Sequence, residues 1–263
     1  MTAGRTGPET ALVTGASRGI GLELTKLFAS DGADVLLAAR SEGKMESIAE
    51  DLRERHGVEA AVFPADLAEQ GAARDLYDRV TDAGYEVDAL VNNAGFGVSG
   101  RFLETDLDQE LDVAHLQVQT VTVLTKLLAR DMADRGGGWV LNNASMAGFA
   151  PVPTSAVYAA SKHYVRSLSE ALAEDFVDEG ITVTALCPGA TDTAFMENGD
   201  FDESATGDGD LMDPETVARA GYEGLLDGER IVVPGRLNRF RVFLRRLMPR
   251  KAYVRAANRM QND

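Results

Sequence analysis

"ALVTGASRGIG" (Ala11–Gly21) sets how the rest of the chain is read. Ala11–Thr14 is a short apolar run of strand character, and Ile20, Leu24, Leu27 and Phe28 recur beyond it at helical spacing. Gly15, Gly19 and Gly21 sit at the join. Glycine lets the backbone turn tightly and approach a pyrophosphate, whose charge the start of the following helix favours. The spacing is G-x3-G-x-G rather than the commoner G-x-G-x-x-G. An ordinary tight turn is the alternative reading of these residues taken alone.

The same alternation continues outward. "DVLLAA" (Asp34–Ala39) is a second strand, and Met45, Ile48, Ala49 and Leu52 mark a second helix ended by Gly57. Strands follow at Glu59–Asp66, Val87–Gly95 (running into a turn), Trp139–Ser145, Ile181–Gly189 and Arg230–Gly235. Between them come a helix through Leu76 and Val80, a long one over roughly 108–134 and another carrying Tyr158 to about residue 178. Buried, Val/Leu/Ala-rich strands alternating with helices predict one α/β domain, a parallel sheet covered on both faces. Ligands of such sheets lie outside the carboxyl ends of the strands. Gly15, Arg40, Asp66, Asn92, Ser145 and Pro188 each follow a different strand, so they converge on one edge.

Composition narrows the function. The 263 residues contain no apolar run of the ~18 residues a membrane span needs. The N-terminus lacks the apolar core of a secretory signal, and a single cysteine, Cys187, fits a reducing cytoplasm. His56, His115 and His163 show no ligand spacing, so no metal site is expected. The formal charge is −16, and such a surface repels nucleic acid. With 5 Lys against 21 Arg, the acid excess looks like salt adaptation, an ordinary acidic protein being the alternative. The charge is uneven: from Arg236 onward there are 9 basic residues and 1 acidic, a charge of +8, leaving −24 on the remainder.

Two places carry chemistry. At the end of the second strand an acidic residue would bind a ribose 2′-hydroxyl, whereas an arginine accommodates a 2′-phosphate. This chain has Ala39-Arg40, and Arg40 with Arg18 predicts a phosphate clamp, hence NADP(H) rather than NAD. In "YAASK", Tyr158 and Lys162 stand four apart on one helical face. A phenol titrating near 10 beside a cation is either a surface pair or an acid–base device.

Taken together, these residues resemble the short-chain dehydrogenase/reductase family over about residues 11–235. "TGASRGIG" (Thr14–Gly21), "NNAG" (Asn92–Gly95), Ser145, "YAASK" (Tyr158–Lys162) and "PGATDT" (Pro188–Thr193) occur in the family's order. The resemblance implies a Rossmann-like, doubly wound fold of about seven strands and an NADP(H)-dependent carbonyl reductase. It makes Tyr158 the general acid or base, with Lys162 holding the nicotinamide ribose and lowering the tyrosine pKa. Ser145 would hydrogen-bond the substrate oxygen. It assigns to the cofactor Gly15, Ser17, Arg18, Gly19, Ile20, Gly21, Arg40, Asp66, Leu67, Asn93, Ala94, Gly95, Tyr158, Lys162, Pro188, Gly189, Thr191 and Thr193. A homo-oligomer and a small carbonyl or alcohol substrate, a hydrophobic ketone or aldehyde, are further expectations. A 3-oxoacyl-carrier-protein reductase and a catalytically silent NADP-binding scaffold are the alternatives.

Three features depart from or exceed that pattern. Gln117 stands where the family has the asparagine of a proton relay. Residues 194–213, acidic and glycine-rich, fall where the family keeps a substrate lid; Met146, Phe149, Phe195 and Met196 are either its pocket or packing. The basic extension 236–263 carries Phe240, Phe243, Leu244, Leu247 and Met248 as one helical stripe, with Tyr253, Ala256, Ala257 and Met260 on a second short helix. Its charge favours docking on the chain's own acidic body or across a subunit interface over contact with a membrane.

Overall fold

The computed structural model describes residues 7–193 and 211–247. Seven parallel strands, β1 (Thr10–Thr14), β2 (Asp34–Ala39), β3 (Ala60–Pro64), β4 (Ala89–Asn92), β5 (Gly138–Asn143), β6 (Ile181–Leu186) and β7 (Ile231–Val232), form one sheet in the order 3-2-1-4-5-6-7. The helices between them are α1 (Gly19–Ser30), α2 (Glu42–His56), α3 (Ala72–Asp82), α4 (Leu107–Ala114), α5 (Val121–Asp134), α6 (Ala156–Asp175) and α7 (Pro214–Leu226), with α8 (Arg236–Leu247) after β7. The Rossmann-like single domain expected from the alternation is what the chain forms.

The period-2 geometry of a strand explains the two cores. Ala11 and Val13 of β1, Val35 and Leu37 of β2, and Ala89 and Val91 of β4 face one side, against Leu24, Phe28, Met45, Leu52, Val217 and Leu225 of α1, α2 and α7. The intervening Leu12, Leu36, Ala38 and Leu90 face the other, against Leu76, Val80, Leu124, Leu128 and Met132 of α3 and α5. Both faces are apolar, which is why these strands read as continuous hydrophobic runs. The order reverses between β1 and β4, and the loops that leave those strands diverge to open a crevice there.

Three sequence expectations shift. β3 stops at Pro64, short of the expected Asp66, and β4 at Asn92, with Asn93–Gly95 in the turn expected after it. The long helix expected over 108–134 is two helices joined by a π-helical turn, His115–Thr120. A π turn inserts one residue into the helical count and rotates what precedes it, and this one holds Gln117, buried to 1% exposure. At the end of the expected lid segment, Asp213 caps α7, its Oδ2 accepting from the Thr216 amide at 2.8 Å, while Thr191 and Met212 pair as an isolated parallel bridge. The rest of that segment, with Phe195 and Met196, and the second helix expected beyond Pro249 lie outside the described residues.

Candidate active site

Every described residue assigned above to the site lies at the carboxyl edge of the sheet. The glycine turn is built by close approach. Gly15 has φ +69°, and a Cβ on Gly21 would collide with the Asn93 amide and the Gly15 carbonyl. Gly19, at φ +56°, leaves 2.9 Å between the position of a Cβ and Thr193 Cγ2, so the loops after β1 and β6 touch. Thr14 ties this turn to the loop after β4: its hydroxyl donates to Val91 O at 3.0 Å and accepts from the Asn93 and Ala94 amides at 2.9 and 3.1 Å. Asn93 Nδ2 returns a bond to Thr14 O at 3.0 Å, and Asn143 Nδ2 donates to Asn93 Oδ1 at 2.9 Å.

These residues fit a dinucleotide. The start of α1 has no side-chain cap, as is also true of α2, α3 and α6; what sets α1 apart is the three glycines beside its first-turn amides, which would let a pyrophosphate approach them. Ser17 and Ile20 are buried beside it and Arg18 is exposed at its rim. Arg40 pairs with Asp66 at 3.7 Å, both side chains more than a third exposed. A pair of that kind is worth about 0–1 kcal/mol, too little to hold Arg40 from a phosphate. Leu67 is buried, its carbonyl accepting from Thr120 Oγ1 at 2.9 Å. Pro188 O accepts from the Met146 amide at 2.9 Å, Gly189 abuts Asn238 of α8, and Thr191 is buried below them.

Ser145, Tyr158 and Lys162 come together beyond β5. Ser145 is extended and caps the short turn Met146–Phe149, its Oγ accepting from the Ala147 amide at 3.1 Å. Tyr158 is in the first turn of α6, hydrogen-bonded to Ser145, and Lys162 is one turn on. Lys162 Nζ donates to Asn143 O at 2.7 Å and stands 5.7 Å from the Tyr158 ring centroid. Burial pushes the Tyr158 phenol up to about 12, against a smaller lowering from the Ser145 hydroxyl. Burial also pulls Lys162 down to about 8. The expected depression of the tyrosine by its lysine is therefore absent from the chain by itself: loss of water around both groups outweighs their proximity.

Gln117 faces the same space. Its Nε2 donates to Phe96 O and its Oε1 accepts from Ser161 Oγ at 3.2 Å. That hydroxyl has one proton and a shorter bond, 2.8 Å, to Tyr158 O, so the tie to Gln117 is the weaker of the two. Gly95 keeps the region open, since a Cβ there would lie 3.6 Å from Gln117 Cδ and 3.7 Å from Lys162 Nζ. Behind the site runs a buried chain in which Asn92 Nδ2 donates to Thr125 and to Asn142, and Asn142 to Ser169. Phe149 is half-buried, packed against the cluster of Val165 and Cys187, with the Arg166 guanidinium 4.5 Å from its ring centre.

Sequence reasoning missed Thr14 and Asn143. A threonine that ends an apolar strand and opens a glycine run is a usable signal, but the Asn143 contact to Lys162 uses a backbone carbonyl, which no side-chain pattern reveals.

The buried lysine has a thermodynamic signature. An unfolded lysine titrates near 10.4. With the folded value lowered to about 8, the penalty is complete below pH 8. Between about 8 and 10.4 the unfolded state holds the extra proton, so this group's contribution to stability rises with pH across that window. We expect Lys162→Met to stabilise the protein at pH 7 by about 1–3 kcal/mol, the ~3 kcal/mol of the shift less the cost of the carbonyl left behind. That gain should shrink toward pH 10. Urea unfolding at the two pH values checks it; a variant equally destabilised at both would show that burial of the charge costs nothing here.

With this geometry in place, a profile of the short chain dehydrogenase family matches residues 9–203. The chain belongs to that family, oxidoreductases acting on alcohol and ketone groups. Among relatives, it is 34% identical over 218 residues to the very-long-chain 3-oxoacyl-CoA reductase of Anas platyrhynchos, covering 80% of this chain and 66% of the relative. A short-chain dehydrogenase from Sphingobium yanoikuyae in complex with NADPH superposes with a TM-score of 0.79 at 29% identity, over 85% of this chain and 87% of the other. The bulky-bulky ketone specific alcohol dehydrogenase from Comamonas testosteroni gives 0.76 at 29% identity, over 92% and 95%.

Proposed function

We propose that the protein is an NADP(H)-dependent reductase of hydrophobic ketones, including 3-oxoacyl chains, with Tyr158 as the proton donor. The observation that carries this reading is the grouping beyond β5: Tyr158, a neutral phenol, is hydrogen-bonded to Ser145 with Lys162 one helical turn on, which supports a proton donor facing a carbonyl that becomes an alcohol. Ser145, already bonded to it, donates to the same carbonyl oxygen and stabilises the charge that develops there. Lys162 in its charged form orients the ribose hydroxyls and favours the departing phenolate. The bound cofactor supplies the hydride. Arg18 and Arg40 select NADP(H) through the 2′-phosphate, and the NADPH complex of the Sphingobium relative supports that choice. The names of the Anas and Comamonas relatives support the substrate class. Exposed Phe102, Leu107 and Leu111, on and before α4, support self-association, which light scattering tests.

The test is consumption of NADPH with a panel of aliphatic, aromatic and 3-oxoacyl thioester ketones. Turnover with none of them would remove the reading. Because Lys162 must be charged, kcat/KM for reduction should be level below pH 8 and fall as pH rises through about 8.

Gln117 should act on turnover rather than on binding. Its amide links the loop after β4 to α6 close to Lys162. Gln117→Ala is expected to lower kcat about tenfold while the NADPH affinity changes less than about twofold, with Gln117→Asn retaining most of the rate. An unchanged kcat and pH profile in the alanine variant would leave Gln117 a packing residue.

A further inference from the structure

Helix α8 presents its apolar side to solvent. Leu237, Phe240 and Phe243 are each more than half exposed and Leu244 is 40% exposed, whereas Asn238 and Val242 face the body. At about 100° per residue, those four apolar side chains share an arc of about 120° centred opposite Asn238 and Val242. Arg239 and Arg241 fall about 40° outside its two edges, and Arg236, the first residue of the helix, falls within the arc at its N-terminal end. The helix holds five arginines and no acidic residue. It is moored by Asn238, which donates to Pro234 O at 3.0 Å, and by Arg239 Nε, which donates to Val233 O at 2.9 Å. It also touches the Met146–Phe149 turn beside the active site.

The helix itself packs on the chain's own body beside the Met146–Phe149 turn, as its charge leads us to expect, but its apolar stripe faces away from that body. We propose that α8 is an interfacial helix that lies on an anionic lipid surface, with its Leu/Phe face among the acyl chains and its flanking arginines at the phosphates. An apolar face edged on both sides by arginine is the distribution such a surface selects, because the long side chains reach outward to headgroups while their stems stay with the apolar face. A water-facing helix would gain nothing from it. No helix among the described residues is long and apolar enough to cross a membrane, so the contact is peripheral. Charge reinforces it: residues 236–263 carry +8, and the remaining −24 is repelled by the same surface. The molecule is thereby turned with α8 toward the surface and the acidic body away from it, by an attraction that added salt weakens. Since α8 borders the site, this orientation sets the substrate entrance near the bilayer.

The full-length protein should float with vesicles of equal parts phosphatidylglycerol and phosphatidylcholine, not with phosphatidylcholine alone. Each basic residue near an anionic surface adds a preference of about fivefold, so raised salt should weaken the binding. The double variant Phe240→Ser/Phe243→Ser should stay in the lower fraction, with unchanged circular dichroism and unchanged mass by light scattering. Arg241→Glu, an exposed single change that leaves the core untouched, should weaken flotation at least about fivefold. No flotation of the wild type with anionic vesicles would overturn the proposal. So would equal flotation of the phenylalanine variant, or a loss of oligomeric mass in that variant, which would assign the face to a second copy of the chain.

Discussion

Tyr158→Phe should lose at least a hundredfold in kcat for carbonyl reduction while binding NADPH within about twofold of wild type, since a positioned proton donor is worth about 10²–10⁴. The change removes one oxygen. The ring stays at the start of α6 beside Ser145, and Lys162 keeps its bond to Asn143 O. Ground-state contacts are therefore conserved, and what disappears is an interaction that matters only as negative charge grows on the substrate oxygen. The variant should fold about as well as wild type, because the half-buried ring is kept and only its hydroxyl, bonded to Ser145, is lost. Single-turnover mixing of NADPH with a ketone separates the chemical step from release. If the phenylalanine form kept more than about a tenth of the rate, Ser145 or water would have to be the donor and the assignment would fall.

Ala39→Asp should have the second largest effect. Wild type is expected to bind NADPH at least tenfold more tightly than NADH, since one charge-assisted clamp on a 2′-phosphate readily exceeds 1.4 kcal/mol. Residue 39 ends β2, next to Arg40. A carboxylate there accepts from the two ribose hydroxyls of NADH and repels a phosphate, so both halves of the preference change sign. The ratio of affinities should move by a hundredfold or more toward NADH, from about 2.8 kcal/mol of combined effect. Arg40→Ala, removing the attraction without adding repulsion, should weaken NADPH alone. Fluorescence titrations with both nucleotides decide it; equal affinities in the wild type would refute the clamp.

The sheet was legible because both its faces are buried: the runs at Leu12, Leu36 and Leu90 carry no polar alternation, and each ends at a loop residue such as Gly15 or Asn93. The convergence of Ser145, Tyr158 and Lys162 followed from motif order. Less visible was anything set by where water is. Tyr158 and Lys162 looked like a mutually tuned pair, yet burial dominates each of them. Nothing in "HLQVQT" announces the π turn that carries Gln117, since a one-residue insertion leaves helical periodicity almost unchanged. The stripe on α8 was plain from spacing, but spacing says which residues share a face and not where that face points. Asn238, a polar residue opposite the stripe, is what turns it outward.

The contact between Gly19 and Thr193 bears on the timing of the catalytic cycle. These residues leave the sheet from β1 and β6, on opposite sides of the central strands, and they meet at van der Waals range. If a nucleotide seats at the glycine turn as proposed, the Thr193 methyl against Gly19 would stand at the edge of its seat. Its departure would need that contact to part, while the arrival of a ketone over Ser145 would not. The expected outcome is ordered binding, nucleotide first on and last off, with its release slowing steady-state turnover; product-inhibition patterns check it. Removing that methyl in Thr193→Ser is expected to quicken nucleotide release while leaving the single-turnover rate unchanged, which stopped-flow release of NADP checks.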